Sequence, residues 1–277
     1  MEHKIDRSID IEALAKQLAH GMSLEQMREK QLERDKKTGA SGDMLPTVAV
    51  TPRGAAHLAS IRAEAAPPRA AVRDLYQQMS WEDARRKVWA LFDLRAAHIS
   101  QIENRDFEWS FDEDELRNVR NIIRYFINDP ACEWPLTKGL FVYGMPGTGK
   151  TEVMQIFERF AALNSLPKAF SFTSMAEVYV KAKSDKGFDP VTPNIQLDRC
   201  FDEFGLHTGA VMTFGESLDI NEAIIEARYK RFRQGGQLSH FISNMTTAEV
   251  QAAFSPMIFD RIRSMCTSVH FKGKSKR

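Results

Sequence analysis

Gly144-Met145-Pro146-Gly147-Thr148-Gly149-Lys150-Thr151 follows the apolar run Leu140–Tyr143 and opens an amphipathic stretch from Lys150 to Leu163. This is the pattern G-x-x-x-x-G-K-[ST] at a strand-to-helix junction, the Walker A phosphate loop. One task explains its residue types. Glycines let the backbone curl until several N–H groups converge on an anion, a concavity that side chains would block. The helix opening at Lys150 aims its positive end at the same point. Lys150 is expected to reach the β and γ phosphates of ATP, and the Thr151 hydroxyl to ligate Mg²⁺. The loop residues Gly144, Met145, Pro146, Gly147, Thr148, Gly149, Lys150 and Thr151 are therefore the candidate nucleotide site.

Working outward, helix-like and strand-like stretches alternate. Ser110 and Glu113 read as a capping box for a helix to about Asn128, with Leu116, Val119, Ile123, Phe126 and Ile127 as its buried stripe and Pro130 as its stop. The helix from Lys150 buries Val153, Ile156, Phe157 and Phe160. Further strands are expected at Ala169–Phe172, Asp198–Phe201, Leu238–Ile242 and Ser268–Phe271, and helices at Met175–Lys183 and Leu218–Gln234, the latter capped by Gly235. Such alternation predicts an α/β fold with a central, mainly parallel, five-stranded sheet covered on both faces.

Upstream the composition changes. Residues 1–37 read as an N-terminal helical segment, with Ser8 as a cap and Ile11, Leu14, Ala15 and Leu18 at helical spacing. The stretch after Ser23 has few large apolar groups, which suits a solvated or partner-bound helix. Residues 38–79 hold Gly39, Gly42, Pro46, Pro52, Gly54, Pro67 and Pro68 among alanines, the composition of a flexible linker. Residues 80–106 read as a connecting helix begun by Ser80 and Asp83, and 107–277 as the catalytic domain.

A loop that holds a triphosphate needs a second carboxylate for Mg²⁺ and, for hydrolysis, a base to orient water. Cys200-Phe201-Asp202-Glu203-Phe204-Gly205 offers both. Asp202 would be the indirect metal ligand at a strand end, and Glu203 would polarise the attacking water. Asp198 and Arg199 stand where such strands usually carry aliphatic residues, so this strand is expected to be short or half exposed.

The loop, Asp202-Glu203 and Ile242-Ser243-Asn244, in that order, resemble an AAA+ P-loop ATPase. The branch they look most like is that of the bacterial replicative helicase loaders and the ATP-binding helpers of insertion-sequence transposition, the DnaC/IstB type. The likeness spans roughly residues 107–277 and is sharpest at Phe204-Gly205, Ser243-Asn244 and Phe259-Asp260-Arg261-Ile262-Arg263. It implies that Asn244 is sensor 1, though an Asn at a strand end can also cap the next helix. It implies that Arg261 is an arginine finger reaching a neighbouring subunit, with Arg263 as its rival. It places Arg277 where the family carries sensor 2, and it implies a domain without a C-terminal helical lid. The implied partners are a replicative helicase, gripped by the N-terminal helices, single-stranded DNA, and further copies of the chain in an oligomer or filament.

Composition narrows the alternatives. With 43% hydrophobic and 27% charged residues the chain is neither collagen-like nor fully disordered. Lys plus Arg is 38 and Asp plus Glu is 37, so contact with nucleic acid would have to come from local patches. Two such patches are the basic stretch 261–277 and Arg228, Lys230, Arg231 and Arg233. Three scattered cysteines, Cys132, Cys200 and Cys266, read as small core residues in a reducing compartment. Phe170, Phe172 and Phe188 read as core. No segment is long and apolar enough to span a membrane, so a cytoplasmic location is expected. Within the resemblance a transposition helper is the alternative to a loader, and outside it a nucleotide-gated scaffold with little turnover.

Overall fold

The computed structural model describes residues 79–185, 187–207, 209–213, 216–273, 275 and 276. They belong to one compact unit, Pro67–Arg277. The expected helices of residues 1–37 and the linker up to residue 78 lie outside the described residues, as does Arg277.

Helix α1 (Trp81–Glu103) begins at Ser80, whose side chain accepts the N–H of Asp83. Its residues Ala84, Val88, Leu91 and Phe92, spaced at helical intervals, are buried. Helix α2 (Glu113–Phe126) starts later than the sequence suggested. The capping box is Asp112 with Glu115, not Ser110 with Glu113. Phe111 packs against the core just ahead of it, which fixes where the turn closes.

Then follow β1 (Gly139–Gly144), α3 (Lys150–Leu163), β2 (Ser171–Ser174), α4 (Met175–Ser184) and β3 (Arg199–Asp202). Next come β4 (Ala210–Thr213), β5 (Glu216–Asp219), α5 (Ile220–Gly235), β6 (Ser239–Ser243), α6 (Thr247–Ala253), α7 (Pro256–Met265) and β7 (Cys266–Phe271). The main sheet is five-stranded, in the order β2-β3-β6-β1-β7. All its pairings are parallel, with Phe141 opposite Phe241, Val142 opposite Val269 and Ser174 opposite Asp202.

Successive strand residues point to opposite faces, and each face has its own core. Leu140, Val142, Cys200, Ile242, Val269 and Phe271 pack with α1, α2 and α3. Phe141, Phe201, Phe241 and Cys266 pack with α4, α5 and α7. This two-sided burial is why the strands read as short apolar runs rather than as alternating patterns. Among the described residues no helix is long and apolar enough to cross a membrane.

Several boundaries differ from the sequence reading. The ladder of β2 lies two residues beyond Ala169–Phe172, because Phe170 anchors the approach to the strand and is itself buried. Strand β3 is short but interior. Asp198, ahead of it, is buried and accepts the N–H of Leu238, and Arg199 donates to Thr173 and to the carbonyl of Pro193. The helix expected from Leu218 begins instead at Ile220, because β4 and β5 form an antiparallel pair that ends at Asp219, the helix cap. Its C-terminal cap is Gly236, at φ 63°, one residue beyond Gly235.

The basic face expected on that helix is also reduced. Arg228 is fully buried and donates to Ser239 Oγ and to the carbonyls of Leu197 and Leu238, fastening α5 to the start of β6. Lys230, Arg231 and Arg233 stay exposed. Cys200 and Cys266 are buried thiols, Cys132 is half-buried, and none is in a disulfide.

Candidate functional site

Strand β1 runs into Gly144, and the chain turns at Gly147 (φ 85°) and Gly149 (φ 84°) before α3 begins. These are left-handed conformations that side chains resist. Gly149 is the cap of α3 and provides no side-chain acceptor, so the N–H groups of the first helical turn stay available to an anion. Thr148, fully buried, donates its hydroxyl to the carbonyl of Met145 and closes the turn from inside.

Lys150 is only 4% exposed. Its ammonium is folded back on its own loop, donating to the carbonyls of Gly144 and Met145 at 2.8 Å each and to Asn244 Oδ1 at 3.0 Å. Thr151 donates its hydroxyl to Asp202 Oδ1 at 3.2 Å. Asn244, just past the end of β6, thus meets the phosphate loop through Lys150. It is not the cap of α6: Thr246 is, in a capping box with Glu249.

Asp202 ends β3, directly opposite Ser174 of β2 and hydrogen-bonded to the loop. Burial lifts its carboxyl above the usual range, against the opposing pull of the Glu203 N–H, the Thr151 hydroxyl and the Lys150 charge. Glu203 occupies the left-handed region at φ 59°. That conformation turns the chain sharply out of the strand. The turn is fixed from behind, since the Phe204 N–H donates to the Ile242 carbonyl and Ser243 Oγ donates to the Phe204 carbonyl. Glu203 Oε2 accepts the hydroxyl of Ser174 at 3.2 Å.

These groups share a cavity of about 470 Å³. Its polar end holds Lys150, Thr151, Asp202, Glu203, Ser243 and Asn244. Its other end is built from Ile99 and Ile102 of α1, Arg105, Phe107 and Trp109 of the following connection, and Lys276. The sequence reading missed this end. The one signal for it was the alternate aromatic spacing Phe107, Trp109, Phe111, a rigid cluster in which Trp109 and Phe111 stack at 5.6 Å. Trp109 also touches the loop: a Cβ on Gly149 would lie 3.3 Å from its ring.

Lys150, the loop N–H groups, Thr151 and Asp202 fit a magnesium-bound nucleotide. Among the described residues no three His, Cys, Asp or Glu side chains converge as a metal cage. A hydroxyl backed by one carboxylate is the donor set of a magnesium ion that takes its remaining ligands from phosphates and water.

Arg261 does not line the cavity. It lies on α7 and pairs with Glu226 of α5 at 2.5 Å, its guanidinium over the Tyr229 ring. Arg263, two residues on, is exposed and sits over Phe259. Phe170 is buried, and Phe172 and Phe188 pack on the two cores, as expected of core residues.

No family model and no curated protein matches the sequence. Solved structures do. A Streptococcus pyogenes serotype M3 protein assigned as a primosome component is 14% identical, covering 60% of this chain and 84% of its own, with a TM-score of 0.45. DnaI is 16% identical over 61% of this chain and 88% of its own, with a TM-score of 0.45. The parallel order β2-β3-β6-β1-β7, with the glycine loop between β1 and α3, defines an α/β P-loop fold independently of these likenesses. The DnaC helicase loader is likewise similar to this chain, at 16% identity over 60% of it and 94% of the loader, with a TM-score of 0.42.

Proposed function

We propose that this protein binds and hydrolyses ATP with Mg²⁺, and couples that cycle to loading a replicative helicase on single-stranded DNA. The observation that carries the ATPase reading is the convergence of Lys150, Thr151, Asp202, Glu203 and Asn244, from three separate segments of chain, on one cavity. A phosphate loop alone would bind an anion. The carboxylate pair beside it, with one member hydrogen-bonded to Thr151, is what hydrolysis requires in addition.

The residues divide the work by their chemistry. Loop N–H groups and Lys150 hold the phosphate oxygens, Lys150 exchanging its present carbonyl partners for them. Thr151 and Asp202 would hold the metal, whose contribution is to offset phosphate charge. Glu203 accepts a proton from water as that water attacks, and Asn244 orients the same region. Arg261, freed from Glu226, supplies positive charge to the site of an adjacent copy, which makes the working unit an oligomer or filament.

The loader role rests on the motif resemblance, with the N-terminal helices as the helicase grip. Calorimetry with Mg-ATP tests the site: parent protein binds and Lys150→Ala does not. A Glu203→Gln variant should bind but hydrolyse about 10²-fold more slowly. Equal affinity of Lys150→Ala and parent would remove the phosphate-loop assignment. Loading is tested by helicase recruitment to single-stranded DNA, and a preference for duplex filaments with a transposase would favour the transposition-helper alternative.

A further inference from the structure

The segment that follows β7 crosses the outer side of the phosphate loop. The backbone N–H of Lys276 donates to the carbonyl of Gly147 at 2.8 Å. A Cβ on Gly147 would lie 2.5 Å from Ser275 Oγ, and one on Gly149 would lie 3.2 Å from Lys276 Cδ, so the segment rests directly on the two turning glycines. Arg105 donates to the Lys276 carbonyl at 3.3 Å.

The far end of the Lys276 side chain is not in solvent. Its ammonium donates to both carboxylate oxygens of Glu115, at 2.9 and 3.0 Å, and lies over the Phe111 ring. The two side chains are 8% and 1% exposed. Glu115 is itself fixed, since it belongs to the capping box at the start of α2 and accepts the Asp112 N–H. Gly273 passes so close to the Glu115 carboxylate that a Cβ there would overlap it.

A loop that points its N–H groups inward at an anion must point carbonyls outward. Gly147 contributes such a carbonyl, and its partner is the Lys276 N–H of the segment after β7. Glycines make this loop permissive to other shapes, and every shape other than the binding one lowers affinity in proportion to its population. The anchor of the segment is a desolvated ion pair with little exposure to screening salt.

We propose that Lys276, anchored by Glu115, is a positioning residue that latches the phosphate loop in its nucleotide-binding shape. This deepens the nucleotide reading of the site and rests on it. The latch acts through the Gly147 carbonyl, and its effect is on affinity rather than on the chemical step.

Removing one partner alone would strand a buried charge and destabilise the fold. The informative variant is therefore the neutral pair Glu115→Gln with Lys276→Met, in which Gln still caps α2 and Met keeps the stem. Three measurements on the full chain decide the proposal. Without nucleotide, the double variant should melt within about two degrees of parent, while amide exchange at Gly147–Lys150 accelerates. Calorimetry should show affinity for Mg-ADP and Mg-ATP about tenfold weaker, equivalent to about 1.4 kcal/mol. Lys276→Arg, which keeps the cation, should bind within about threefold of parent. Parent-like affinity and exchange in the double variant would overturn the latch. If parent protein binds no nucleotide, the reading of the site fails instead, and loop exchange alone still decides whether the latch holds the loop.

Discussion

Ser174 Oγ, at the end of β2, donates to Glu203 Oε2 at 3.2 Å and, as the cap of α4, accepts the N–H of Glu177. One hydroxyl therefore ties the candidate base to the start of the helix on the neighbouring strand. That bond fixes the direction of the Glu203 carboxylate. Ser174→Ala should destabilise the protein by about 1 kcal/mol, through the lost cap. It should also lower basal turnover roughly threefold, because the carboxylate that orients the attacking water loses its fixed direction. Chemical unfolding and a steady-state ATPase assay check the two parts separately, and Ser174→Thr should reverse both.

The left-handed backbone of Glu203 separates its shape from its chemistry. Glu203→Ala and Glu203→Gly both remove the carboxylate and should both lose about 10²-fold in hydrolysis. Only glycine relieves the φ of 59°. The Gly variant should exceed the Ala variant in unfolding free energy by about 1 kcal/mol. Equal stability of the two would show that the turn is unstrained.

Asp202 should make stability fall with pH in the nucleotide-free protein. Burial raises its carboxyl in the folded state, so the folded protein holds more protons than the unfolded chain between the ordinary and the raised value. Its favourable contribution is present below the ordinary carboxylate range and is lost as pH rises through the raised one. Asp202→Asn removes that loss, so its melting temperature relative to parent should rise from about pH 4 to about pH 7. With Mg-ATP added the order should invert, because only parent retains the carboxylate behind Thr151.

Glu226 should restrain Arg261. The pair at 2.5 Å occupies the guanidinium that an adjacent subunit's site would need. If ATPase activity depends on neighbours, specific activity should rise with protein concentration, and Glu226→Gln should shift that rise to lower concentration. Mixing Arg261→Ala with Lys150→Ala subunits should restore part of the activity each lacks, with Arg263→Ala as the control for which arginine acts. A concentration-independent rate without rescue would mean that each chain works alone.

The legible parts of this molecule were those where function is written in consecutive residues. The loop Gly144–Thr151 needs glycines at fixed places in the backbone, so its purpose shows in the text itself. Strands buried on both faces were visible as apolar runs, but the runs mark the core rather than the ladder, which is why β2 began two residues late. The β4–β5 pair was hidden because Leu218 also fits the helical stripe of α5, and only the cap at Asp219 separates the two. The far wall of the cavity joins the end of α1, an aromatic connection and a segment beyond β7. Glu115 and Lys276 are 161 positions apart, and no local pattern announces their pairing. Arg228 read as surface charge because helical periodicity alone does not reveal that three acceptors wait beneath it.

The partners of Lys150 join the phosphate loop to a second strand of the sheet. Its ammonium is held by two carbonyls and Asn244, so a phosphate would enter by exchange. One of those bonds ends on Asn244, the first residue beyond β6, so a single ammonium ties the phosphate loop to the strand that leads into α6. A substitution at Lys150 would therefore remove a tie between the loop and β6 as well as a positive charge.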